Sequence, residues 1–343
     1  MAERYFDLTA GEQAELLQDL APVMGRRAEI LEKDIWLCQV LDILFRLPCR
    51  KPMAFKGGTS LSKVYKAIDR FSEDIDVTVD YRSLVAGAPE LAAITSNSQR
   101  SKLSEALKAE LVKHVIDELV PALRDALSAA LPALAISIEV SEDAEKLWVY
   151  YPSAVENTDS YIRPSILIEF GGRNSTLPQS ILSIMPDIAA HVSNLEFPTA
   201  QVVVLSAART FWEKATLIHV ECHRAQLRAS ADRLSRHWYD LARLADHEVG
   251  HQALQDTDLL RDVLSIKETF YRSGFSNYDR CLTGGLRLIP DAPLLDALRQ
   301  DYQAMLAAQM FYGKTLPFDD IVARLETLEK AINTQSGGKR ASS

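Results

Sequence analysis

Between residues 53 and 80 the sequence MAFKGGTSLSKVYKAIDRFSEDIDVTVD changes period, and few arrangements of backbone accommodate the result. A short apolar run, Met53–Phe55, ends at Lys56 and is followed by Gly57 and Gly58. From Thr59 the apolar residues Leu61, Val64, Tyr65 and Ile68 recur at three- and four-residue spacing, the signature of a helix. After Arg70 the spacing becomes two: Asp74, Asp76, Thr78 and Asp80 fall on one side, Ile75, Val77 and Val79 on the other. The pattern predicts a strand, a tight glycine turn, a helix capped by Thr59 or Ser60, and a second strand carrying acidic side chains on one face.

The surrounding sequence supplies the rest of a mixed architecture. Residues 12–46 carry helical periodicity interrupted near Pro22 and Gly25, which predicts two helices. Residues 99–131 read as helical, with Pro121 and Pro132 as punctuation. The alternating runs 135–140 and 146–151 predict a hairpin, and PSILIEFGG (164–172) a further strand. From about residue 205 the chain turns helical, with one long helix over 206–227, another over 233–249, two or three more after that, and a short flexible tail, SGGKRASS. The expected fold class is α+β, with a mixed sheet in residues 1–205 and a helical domain in residues 206–343.

Two aspartates separated by one residue on a strand repel each other unless a cation lies between them. Asp74 and Asp76 are therefore either a solvated polar edge or the ligands of a divalent ion, with Mg2+ suited because it bridges one or two carboxylates to substrate phosphates. Gly57 and Gly58 at a helix N-terminus strengthen the second reading, since free amides there attract phosphate. Glu169, in the middle of an apolar strand, either faces solvent by alternation or has a cation partner. Lys63, roughly one turn into the helix, either contacts phosphate or is a surface cation, and Arg70 contacts phosphate, pairs with a carboxylate or is likewise a surface cation. Ser72 orients the metal site or closes the turn.

These residues resemble the DNA polymerase β-like nucleotidyltransferase superfamily. More narrowly, GGTSLSK…RFSEDID resembles the AbiEii/AbiGii group of nucleotidyltransferase toxins of abortive-infection, phage-defence and toxin–antitoxin systems. EKATLIH with Lys214, RLSRHWYDLARL with Asp240, and the C-terminal run from IPDAPLL to KAIN are similar to the later motifs of that group, so the resemblance covers nearly the whole chain. It implies a polymerase β-like core followed by a C-terminal helical bundle, and a metal-dependent transfer of NMP from an NTP to an RNA acceptor, the 3′ end of tRNA. It further implies Mg2+ or Mn2+ held by Asp74, Asp76 and Glu169, and triphosphate gripped by Gly57, Gly58, Thr59, Ser60 and Lys214. Asp240 would lie near the active site as a base or as a partner of Lys214 or Arg236, and a cognate antitoxin would restrain the toxin. Transfer to a small molecule or protein side chain, or nucleotide binding without catalysis, are the alternatives.

Charge and composition narrow the partners. A formal charge of −9 argues against non-specific coating of nucleic acid, yet residues 209–243 hold seven Lys/Arg against four Asp/Glu, a basic island that fits an RNA acceptor. Trp238 and Tyr239 beside Asp240 either stack a base or pack in the core. In HVECH the residue after His219 is Val220, so the zincin pattern is absent, and zinc on His219, Cys222 and His223 would need a fourth ligand. Four cysteines without a CxxC pair predict reduced thiols, and the lack of any run of roughly 18 apolar residues predicts a cytoplasmic protein without membrane partners.

Overall fold

The computed structural model describes residues 2–156, 163–224, 233–313 and 315–338. Its strands are β1 (Glu3–Arg4), β2 (Met53–Lys56), β3 (Ile75–Asp80), β4 (Ser137–Val140), β5 (Lys146–Tyr150), β6 (Ser165–Asn174), β7 (Gln179–Ile184), β8 (Leu195–Glu196) and β9 (Ala200–Leu205). The helices of the first two hundred residues are α1 (Ala10–Met24), α2 (Ala28–Arg46), α3 (Gly57–Lys63), α4 (Tyr81–Leu84), α5 (Asn97–Lys113) and α6 (Val120–Ala130). Those that follow are α7 (Ala207–Cys222), α8 (Arg236–Ala245), α9 (Glu248–Gln255), α10 (Thr257–Phe270), α11 (Ala292–Ala307) and α12 (Phe318–Gly338). No helix among the described residues is long and apolar enough to cross a membrane.

The chain divides into two compact units. The first comprises Met1–Val64, Ser72–Ala88 and Leu103–Leu205, and the second Tyr65–Phe71, Pro89–Lys102 and Ser206–Ser343. The second unit thus includes two segments that a single cut after residue 205 assigns to the first.

The first unit is built on a seven-stranded mixed sheet in the order β4-β5-β6-β3-β2-β9-β7. β3 runs parallel to β6, and β2 parallel to β9, while the other neighbours are antiparallel. β7 and β9 are not expected from the sequence: in β9 the four apolar residues Val202–Leu205 follow one another without alternation, a short run that periodicity cannot distinguish from a helix segment. α2 packs on β6 and β9 and against α1 and α6. Apolar on nearly every side, it is a core helix. The boundary between α1 and α2 is set by Gly25, whose left-handed φ of 61° caps α1.

Helix α3 begins at Gly57, two residues earlier than expected, and ends at Lys63. Thr59 and Ser60 therefore lie inside its first turns and do not cap it; the cap position is Lys56, in extended conformation and without a side-chain cap bond. The expected helix over 233–249 is two helices, α8 and α9, and the end of the helix expected over 206–227 lies outside the described residues. α12 runs to Gly338, so the expected tail begins as helix and its last five residues lie outside the described residues.

In the second unit α7 packs against α8, α9 and α10, and α8 against α12. The segment 286–289, which belongs to no helix or strand, has backbone groups satisfied by side chains. Leu286 N–H donates to Asn333 (2.9 Å), Arg287 N–H to His219 Nδ1 (2.9 Å) and Leu288 N–H to Glu329 (2.5 Å), and Trp238 Nε1–H donates to the Leu288 carbonyl (2.9 Å). His219 also donates from Nε2 to the Asn277 carbonyl at 3.0 Å, so both ring nitrogens are engaged and neither is available to a metal.

Burial pushes the His219 pKa down to about 4. An unfolded histidine takes up its proton near pH 6.5, so the native state is fully favoured above that value and loses stability as pH falls from 6.5 toward 4, by roughly 3 kcal/mol over the window. His219→Gln, which preserves one donor and one acceptor, is expected to flatten this part of the melting-temperature profile. An unchanged slope would remove His219 as its cause.

Candidate active site

In the first unit, the glycine turn and the acidic strand meet. β2 passes into α3 without an intervening residue, and Gly57 sits at φ +81°, a conformation that side chains rarely adopt. A Cβ built at Gly57 would overlap the Asp76 carboxylate, with Asp76 Cγ at 2.7 Å and Asp76 Cβ at 3.0 Å. Glycine is required here twice, for its φ and for the approach of that carboxylate.

Sheet register extends the cluster sideways. Asp76 on β3 is the partner of Glu169 on β6 and of Lys56 on β2, while Glu169 is also the partner of Lys146 on β5. Partners in register point to the same face, so Lys146, Glu169, Asp76 and Lys56 form a row of cation, two anions and cation. Lys146 Nζ lies 3.3 Å from Glu169 Oε1, and Glu169 is 35% exposed. Both readings of Glu169 thus apply: it stands on the half-exposed face, opposite buried Ile166, Ile168 and Phe170, and it has a cation partner.

Asp74 immediately precedes β3 and is half-buried, as Asp76 is. Among the described residues no three His, Cys, Asp or Glu side chains gather closely enough to hold a metal ion by themselves. The expected trio of Asp74, Asp76 and Glu169 is present as a neighbouring pair, Asp76 and Glu169, with Asp74 at the head of the strand. Adjacent carboxylates facing an amide-bearing turn suit Mg2+, which takes one or two carboxylates and leaves its remaining positions to water and phosphate.

The hydroxyls of the turn are used internally. Thr59 Oγ1–H donates to Ser72 Oγ at 2.8 Å, and Ser60 Oγ–H donates to the Gly57 carbonyl at 2.9 Å. Ser72 thereby ties α3 to the approach of Asp74. Lys63, expected to contact phosphate, is buried between Asp34 (2.6 Å) and Asp187 (3.0 Å). Burial alone would lower its pKa, but Asp34, Cys38 and Asp187 carry it above the ordinary lysine value.

The second unit holds a different cluster. Arg70 donates to both carboxylate oxygens of Asp240, from Nε at 2.6 Å and from Nη2 at 2.8 Å, and Lys214 Nζ lies 2.8 Å from Asp240 Oδ2. All three side chains are buried. Burial opposes charge on Asp240, yet Arg70 and then Lys214 hold its carboxyl well below the usual carboxylate range. The Arg70 segment is secured by Phe71 N–H donating to the Met310 carbonyl at 2.7 Å and Tyr312 N–H to that of Asp69 at 2.9 Å. Asp240 therefore pairs with Lys214 and Arg70; the Arg236 pairing left open by the sequence is not the one observed.

Trp238 and Tyr239 are core residues, with Tyr239 packed at 4.7 Å on the Phe311 ring, so neither side chain presents a face to a base. The basic island is also largely spent inside the unit. Arg209 pairs with Glu213 and Asp262, Lys214 with Asp240, Arg224 with Glu221 and Arg243 with Asp69. Arg228 lies outside the described residues.

The sequence reading missed Lys56 and Lys146, which only register places beside the acidic pair, and the charged triplet Glu32-Lys33-Asp34. The last had a signal: three consecutive charges in an otherwise apolar helix.

The family described as "Nucleotidyl transferase AbiEii toxin, Type IV TA system" matches residues 39–324. Among solved structures the chain is similar to MenT4, a nucleotidyltransferase toxin from Mycobacterium tuberculosis H37Rv, at 16% identity and a TM-score of 0.49, over 95% of this chain and 90% of that one. No curated protein matches.

Proposed function

We propose, for a chain that belongs to the AbiEii family of nucleotidyltransferase toxins, that it transfers NMP from an NTP to an RNA acceptor, the 3′ end of tRNA, and so blocks translation and growth. The observation that supports this reading is the seating of the Asp76 carboxylate against Gly57 at the start of α3 with Glu169 alongside, since paired carboxylates suit a divalent ion and a helix start suits phosphate.

In this reading residues 1–205 form a polymerase β-like core and residues 206–343 a helical bundle. Asp74 and Asp76, with Glu169 adjacent, would hold Mg2+ or Mn2+. Such an ion, when bound, neutralises charge at the α-phosphate and lowers the pKa of an acceptor hydroxyl. Gly57 and Gly58 would present backbone N–H groups to the β- and γ-phosphates. Thr59, Ser60 and Ser72 would act by holding that turn in shape. Lys56, in register with Asp76, would offset the negative charge of the site. Lys214, to which the resemblance gives the role of a point charge for triphosphate, is buried in the second unit and held by Asp240 beside Arg70. Lys63 would contribute by anchoring α3. A cognate antitoxin and a cytoplasmic location complete the reading.

One observation favours a second acceptor class. Arg209, Lys214, Arg224 and Arg243 are engaged by carboxylates, so the cation excess of 209–243 does not translate into an equally basic surface. A protein side chain or small molecule needs no such surface. Incubation with each α-labelled NTP and separate pools of tRNA, protein and small molecules decides the matter: label on tRNA is expected, label on another pool replaces the acceptor, and label on none overturns catalysis.

A further inference from the structure

We infer that Lys33 and Asp34, adjacent on α2, are positioning residues that hold the body of α3 and the approach to Asp74, the two parts of the site that the β2–β3 ladder does not reach; the inference rests on the nucleotidyl-transfer reading of that site.

Helix α2 buries most of its length, and charged groups in such a helix persist only when paired. Its three consecutive charges each have a partner. Lys33 Nζ lies 2.5 Å from Glu73 Oε2, the residue before Asp74, and donates to the Arg163 carbonyl at 3.1 Å. Asp34 accepts from Lys63, the last residue of α3, at 2.6 Å, and from the Asp187 backbone N–H at 2.7 Å. Asp187 in turn pairs with Arg26, so the network runs Arg26–Asp187–Lys63–Asp34. Glu32 is buried like Lys33, but its partners are Ser153 Oγ and Ala154 N–H, both at 2.6 Å and on neither arm of the site.

The arrangement answers a problem posed by the chain path. After Val64 the chain joins the second unit and returns to the first at Ser72. The β2–β3 ladder, with Lys56 in register with Asp76, sets Gly57 beside the acidic strand, but the body of α3 and the approach 72–74 lie beyond that ladder, and a segment that packs elsewhere separates them. Lys63 and Glu73, on either side of the excursion, are gathered by consecutive residues of one rigid helix, and the Thr59–Ser72 hydrogen bond ties the two arms directly. Asp34 governs the arm that bears Gly57 and Gly58, and Lys33 the arm that bears Asp74 and Asp76.

The two residues should therefore fail differently. Asp34→Asn leaves Lys63 paired with Asp187 and frees α3, so KM for NTP is expected to rise about tenfold with kcat within twofold. The double variant Lys33→Met/Glu73→Met removes the second tie without leaving a lone buried charge, and kcat is expected to fall about a hundredfold with KM for NTP within twofold. Two binding measurements accompany the kinetics: Mn2+ alone by electron paramagnetic resonance, weakened in the double variant, and each α,β-methylene NTP analogue, weakened in Asp34→Asn. Glu32→Gln is the control, expected to lower the melting temperature without altering either constant.

A split of kcat from KM between the two variants, absent in Glu32→Gln, supports positioning. Unchanged constants, or losses in both constants that appear in Glu32→Gln as well and scale with the melting temperature in all three variants, overturn it while leaving the function intact. A wild-type protein that binds neither Mn2+ nor any analogue overturns the nucleotidyl-transfer reading itself, and the positioning role with it.

Discussion

Asp76→Asn is expected to reduce nucleotidyl transfer by about a thousandfold, ~4 kcal/mol of transition-state stabilisation, while leaving the fold about as stable as before. The two halves of this expectation have different causes. Asp76 lies in register with Glu169 on one side and Lys56 on the other, and a like or opposite charge on an adjacent strand is each worth ~0.2–1 kcal/mol, so neutralising Asp76 removes one unfavourable and one favourable contribution that nearly cancel. The amide keeps the shape that fits against Gly57, where a Cβ would collide. A residue that matters only to folding would show the reverse pattern, a lower unfolding midpoint and activity lost in proportion. Label transfer from α-labelled NTP measured beside urea denaturation separates the cases; retained activity in Asp76→Asn would remove this carboxylate from the chemistry.

Asp240→Ala is expected to destabilise the second unit by roughly 3–5 kcal/mol, because it strands two buried cations. Arg70 directs two donors at the carboxylate and Lys214 a third, and Asp240 itself has no exposure. Because the folded carboxyl titrates below its unfolded value, its contribution is present above about pH 4 and is lost as pH falls through the depressed folded value. The Ala variant should therefore also lack that part of the acid dependence. Trp212 and Trp238 report on the second unit and Trp36 and Trp148 on the first, so versions of the protein retaining one pair can locate the loss by fluorescence. An unchanged midpoint for the Trp212/Trp238 pair would contradict the buried ion cluster.

The parts of the site that were legible in the sequence are those written in short-range patterns. The change of period after Arg70, the glycine pair before α3 and the alternation in β6 each depend on neighbouring residues, because backbone preference and side-chain facing are settled over a few positions. β7 and β9 escaped for the complementary reason: their identity as strands depends on a partner, β2 for one side of β9 and β7 for the other, and not on any period of their own.

The sequence by itself determined the mixed α+β class, the strand–turn–helix–strand unit around Gly57 and Asp76, and membership in a nucleotidyltransferase family. Tertiary structure alone decided what the charges do. Lys63 meets Asp34 across 29 residues, and Arg70 meets Asp240 across 170, so a lysine expected at phosphate and an arginine left open both become halves of buried ion pairs. The same holds for the basic island, whose cations are counted along the chain but neutralised through space. Coulomb attraction acts on distance and dielectric, which the fold sets, and takes no account of separation in sequence.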